Sequence, residues 1–153
     1  MNKNKLALEV IWWIMTVIIV GVVMYPIGKQ FPEFRFMWTN IAYIVAFITF
    51  TRYTFFLEYT FMAAAQYVKI GIILFTFAII LGLSTQIQDF NVWFDAGDPD
   101  RLMPNVAASQ RDSLSSYIKT EFLFFAVGSI VASLFLSIRL MQSVWRFRNE
   151  GKA

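Results

Sequence analysis

Cysteine and histidine are both absent from the 153-residue chain. Their absence excludes a disulfide framework, a thiolate nucleophile, zinc or haem ligation through sulfur or imidazole, and a Ser-His-Asp triad. Any metal would have to be held by oxygens alone. Charge is also scarce: 15 % of residues are Asp, Glu, Lys or Arg, where an ordinary soluble domain carries about a quarter. What is abundant is apolar surface. Hydrophobic residues make up 58 % of the chain and include 17 Phe and 5 Trp. Disordered, collagen-like and coiled-coil classes are excluded by that composition, and a soluble fold of this length has no interior large enough to hide it. An integral membrane protein remains.

Crossing about 30 Å of hydrocarbon at about 1.5 Å per residue takes roughly 20 apolar residues. Four runs qualify, at about 6–27, 36–57, 61–83 and 118–140. The first resembles a signal peptide in its Lys3 and Lys5 start. It is too long for a signal h-region, however, and no A-x-A-like site follows it. It is read as a retained helix ending near Pro26. The connectors at 28–35 and 58–69 are short, and the second is expected to be largely helical. Residues 84–117 form a long polar loop containing Pro99 and Pro104, and 141–153 form a basic tail. Short connectors make consecutive helices antiparallel neighbours. The expectation is an all-α, single-domain integral membrane protein: four transmembrane helices in an antiparallel bundle, with the long loop between helices three and four.

Charge asymmetry sets the expected orientation. With four spans, Lys3, Lys5, Arg52, Lys69, Arg139, Arg146, Arg148 and Lys152 share one side; Lys29, Arg35, Arg101, Arg111 and Lys119 share the other. The acids reinforce the contrast. Glu9, Glu58 and Glu150 fall on the first side, and the remaining seven fall on the second. By the positive-inside rule both termini are cytoplasmic and the long loop is outside.

Glu9, Arg52, Lys69 and Arg139 form a belt of charge at similar depth near the cytoplasmic end, one on each helix. Charges inside a span are costly and find a partner or water. The belt reads either as the mouth of an ion or proton path, or as an interfacial lock in which long side chains snorkel and one Glu–Arg pair fixes helix register. The lock is preferred, because the expected bundle centre holds Thr16, Tyr43, Thr76 and Ser129 but no charge. Glu9 and Arg52 are expected to lie close together; Lys5 and Glu9 can also pair at i,i+4.

Ser129, Ser133 and Ser137 recur every four residues beside Gly128 and Ala132, a spacing that lets helices approach closely. They serve either packing within the chain or contact with a partner's helix. Ile87, Phe90, Trp93 and Phe94 have helix-like spacing and suggest a short interfacial helix in the outer loop. Phe90, Trp93 and Phe94 are the other candidate partner contacts. The acidic run Asp95–Asp100 lacks the EF-hand pattern and is read as a solvated turn, not a calcium site. The abundant Phe reads as lipid and core filling before it reads as a lipid or quinone pocket. The basic, aromatic tail suits anionic lipid better than RNA.

The organisation resembles that of small four-helix membrane proteins of bacteria, which implies the inner membrane. The expected function is non-catalytic: an accessory or scaffold subunit of a larger membrane assembly, with no cofactor, no metal and no nucleic acid. Its partners are lipids and either another protein or further copies of itself. The alternative is a small oligomeric channel or transporter. A lipid-handling enzyme is the least supported reading, since only carboxylates, hydroxyls and Lys are available for chemistry.

Overall fold

A computed structural model describes residues 3–60, 62, 65–97 and 99–150. The side chains of Lys3, Lys5, Asp98, Asp100, Glu150 and Lys152 lie outside the described residues, so the Lys5–Glu9 pairing and most of the acidic run do too. The described residues are helical, without a strand: α1 (Lys3–Gln30), α2 (Met37–Phe56), α3 (Gln66–Asp95), a single turn α4 (Pro99–Leu102) and α5 (Ala108–Glu150). Four of these helices, α1, α2, α3 and α5, are long and apolar enough to cross a membrane.

Helix ends depart from the sequence expectation for identifiable reasons. α1 continues past Pro26 to Gln30. Proline removes one backbone donor, but Ile27 is fully enclosed and its carbonyl accepts from Phe31 N at 2.7 Å, so burial holds the last turn together. The connector after α2 is less helical than expected. Leu57–Tyr59 tighten into a 3-10 turn, and Thr60 donates to the Leu57 carbonyl through both its hydroxyl (2.8 Å) and its backbone N–H (3.2 Å), leaving Thr60 itself extended.

The largest correction concerns residues 84–117, which are not a long loop. α3 runs unbroken to Asp95 and α5 starts at Ala108, so only Ala96–Ala107 connect them. Ser84 and Thr85 did not end α3, because their hydroxyls turn back onto the Ile80 and Leu81 carbonyls at 2.8 Å each, a bond that helices tolerate. Gly97 ends the excursion. A Cβ there would lie 2.5 Å from the Leu102 side chain, so only glycine lets α4 fold back this closely. Arg111 then clamps the return, donating to the Val106 and Pro104 carbonyls at 2.7 and 3.2 Å.

α5 is the spine. Its contacts on α2 advance from Asn40 at Glu121 to Phe47 at Phe124, Phe125 and Gly128, so those two helices share a direction. Its contacts on α3 retreat from Phe90 at Phe122, through Thr76 at Ser137, to Lys69 at Ser143, so that pair is oppositely directed. A Cβ on Gly128 would come within 2.9 Å of the Phe47 ring. This small residue therefore sets the α2–α5 separation.

The core is aromatic and lies towards the end where α3 meets α5. Phe90 and Phe122 stack at 3.8 Å, and Phe36 and Tyr43 meet Phe122 edge-on at 6.0 and 5.2 Å. Each such contact contributes about 0.5–1.5 kcal/mol beyond area burial. Phe31, Phe34 and Phe36 in the α1–α2 turn point inward and plug this core, while Pro32, Glu33 and Arg35 between them face out. A smaller cluster of Leu57, Met62, Leu136 and Leu140 packs the opposite end.

Candidate functional site

The sequence-derived charge belt resolves into contacts of unequal character. Arg52 Nη2 lies 2.6 Å from Glu9 Oε1, bringing together the charged residues of α1 and α2. Both are largely sheltered, and the guanidinium also sits 5.8 Å over the Trp12 ring and 5.3 Å over Tyr53. The contact is a close ion pair without hydrogen-bond alignment, and Arg52 Nε has no hydrogen-bond partner. Lys69, fully enclosed on α3, donates to Ser143 Oγ on α5 at 2.9 Å and reaches Gln66 Oε1 at 3.4 Å. Arg139 reaches Glu58 at 3.4 Å in a solvent-accessible pair. Exposed pairs of this kind contribute little, so the Glu9–Arg52 and Lys69 contacts are the ones that fix helix positions.

The serine stripe is occupied within the chain. Ser129, Ser133 and Ser137 are buried against the other helices, each back-bonding to α5, and Ser137 shares a 2.7 Å hydrogen bond with Thr76 of α3. Phe90 and Phe94 are likewise buried, and Trp93 is half-buried against Phe34 and Phe36 at 5.9 and 5.5 Å. These six residues were expected as candidate partner contacts. Five are enclosed by their own chain, for a simple reason: continuing α3 to Asp95 carries its apolar face back over the core, so the face never needs a partner.

One polar pair was missed. Asn40 near the start of α2 donates through Nδ2 to Glu121 Oε2 of α5 at 2.6 Å. Asn40 is 0 % exposed and Glu121 8 %. Asn40 Oδ1 and Glu121 Oε1 have no hydrogen-bond partner. The sequence does carry a signal for this pair. Both residues sit four or five positions into apolar runs entering from the same side, so they share a depth. An ionisable group inside such a run marks a candidate functional position.

Chemically, this arrangement holds and orients but assembles no recognisable reaction centre. Among the described residues there is no group of three or more acidic, His or Cys side chains that could hold a metal. An open apolar groove of about 670 Å³ lies between α2 and α5, walled by Phe47, Phe55, Phe124 and Phe135. Its shape and polarity resemble those of an acyl chain. No family model, curated protein or solved structure gives a significant match to this chain.

Proposed function

We propose that this chain is a non-catalytic accessory or scaffold subunit of a larger membrane assembly, inserted as an antiparallel four-helix bundle in a bacterial inner membrane with both termini cytoplasmic. The observation that carries the reading is the state of α1. It is anchored to its neighbours by Glu9–Arg52 near one end and, further along, by the Tyr117 hydroxyl on the Val23 carbonyl at 2.8 Å. Between these anchors its apolar face is uncovered, with Val17 68 % and Val22 70 % exposed. A helix held by polar anchors but left unpacked along its length is suited to a helix of another membrane protein. The basic excess on the terminal side supports the orientation.

The lack of native cysteine makes the test direct. A single Val17→Cys variant, crosslinked in membranes, is expected to capture one stoichiometric protein that also copurifies in mild detergent. A reporter fused after Ala153 is expected to be active as a cytoplasmic fusion. Activity only outside the cytoplasm overturns the orientation.

A second reading, a small oligomeric channel or transporter, draws on the buried Asn40–Glu121 pair, because ionisable groups within spans line ion paths in other membrane proteins. Crosslinking of the Val17→Cys variant only to itself, together with ion conduction by the purified chain in liposomes, selects that reading and overturns the scaffold.

A further inference from the structure

At the end of the molecule where α3 meets its connector to α5 lies a cavity of about 680 Å³. Its lining is amphipathic. Arg35, Arg101, Gln88 and Asp89 supply charge and hydrogen bonding, and Trp93 and Leu102 supply an apolar wall. Among the described residues, neither arginine and not Asp89 is engaged in an ion pair. The Arg35 guanidinium is steadied over the Phe36 ring at 5.5 Å, which limits its freedom without neutralising it. Two guanidinium groups against one carboxylate leave a surplus of one positive charge, the complement of one phosphodiester.

The depth of the cavity points to the source of that phosphate. Asp89 lies six residues beyond Leu83, the end of the apolar run of α3. At about 1.5 Å per residue that is about 9 Å past the hydrocarbon boundary, near the outer edge of a headgroup layer about 5–8 Å deep. Arg35 directly precedes the apolar run of α2. A charged floor beside an apolar wall, at headgroup depth, suits an amphiphile better than a small soluble anion.

We propose that this cavity binds the phosphodiester headgroup of a glycerophospholipid. Arg35 and Arg101 hold the phosphate, and Asp89 accepts a hydrogen bond from a hydroxyl or ammonium group at the headgroup's far end. Guanidinium suits this task because its planar donors match phosphate oxygens two at a time. The proposal rests on the membrane reading above. A soluble phosphate ester shares the same recognition chemistry, and the test separates the two.

The full chain, purified in mild detergent, is analysed by native mass spectrometry with dioleoylphosphatidylglycerol, with dioleoylphosphatidylcholine, and separately with sn-glycerol 3-phosphate. One phosphatidylglycerol per chain is expected to survive. The R35Q/R101Q variant is expected to reduce its retention about tenfold, the effect of losing one strong charge-assisted contact, and R35K/R101K to restore part of it. D89N is expected to weaken phosphatidylglycerol but not phosphatidylcholine, which has no terminal donor. All four side chains concerned are exposed or at the rim, and unchanged helix content by circular dichroism verifies folding. Retention that R35Q/R101Q leaves unchanged overturns the proposal, as does saturable binding of glycerol phosphate without any lipid preference. Release of the chain from membranes by alkaline carbonate overturns the membrane reading itself, independently of the lipid result.

Discussion

Asn40 and Glu121, 81 residues apart in sequence, meet in a 2.6 Å hydrogen bond inside the apolar interior. The bond joins α2 to α5, the two helices with the closest approach, just ahead of the Gly128–Phe47 contact. Each partner retains one oxygen with no hydrogen-bond partner. The pair is therefore only half satisfied, and its effect on stability depends on keeping both members.

Asn40→Leu strips the carboxyl group of its donor and is expected to lower stability by about 1–3 kcal/mol, the cost of an orphaned buried polar group. The double variant Asn40→Leu/Glu121→Leu removes both polar groups and is expected to recover much of the loss. Unfolding in detergent, followed by the fluorescence of the 5 Trp, reads the difference. Additive losses in the cycle would show that the two do not act as a unit.

Glu9 and Arg52 call for the same logic at the other end of the molecule. Glu9→Gln or Arg52→Gln alone is expected to cost about 2 kcal/mol, below the roughly 3–5 kcal/mol of breaking a fully buried pair, because both groups retain some access to water. The double variant should cost less than the two singles together. Accumulation in membranes and thermal stability report it, and simple additivity would refute coupling.

Gly128→Ala places a methyl group 2.9 Å from the Phe47 ring. Either the ring or the helix must move, and overpacking of this kind costs about 1–3 kcal/mol. Phe47→Leu in the same chain is expected to relieve the clash, so the double variant should be more stable than Gly128→Ala alone. The same unfolding measurement decides.

Phe90→Ala removes a ring stacked at 3.8 Å on Phe122 and leaves a cavity in the centre of the core. The expected cost is about 3 kcal/mol, towards the lower end of the Phe→Ala range. Trp93→Ser, at a half-buried position, should cost less. If both residues instead acted only as partner contacts, neither change would alter the melting of the isolated chain.

The sequence by itself determined the four apolar helices, because apolar runs of about 20 residues with few charges can be long helices and little else. It also made Glu9 and Arg52 natural partners, since a charge on each of two short-linked helices at one depth has few other groups to meet. Only the tertiary structure decided the rest. Residues 84–95 look like a polar loop because Ser84, Thr85, Gln86, Gln88 and Asp89 dominate the local composition. They are helical because Phe90, Phe94 and Ile87 gain a core to pack against, a gain that exists only once Phe122 and Phe36 have been brought alongside. Ser129, Ser133 and Ser137 carry a spacing equally suited to an internal and an external helix contact, and the approach of α3 at Thr76 selects the internal one. Asn40 and Glu121 are separated by most of the chain. Local pattern cannot pair them, because the distance between them is set by how α2 and α5 pack and not by any property of either helix alone.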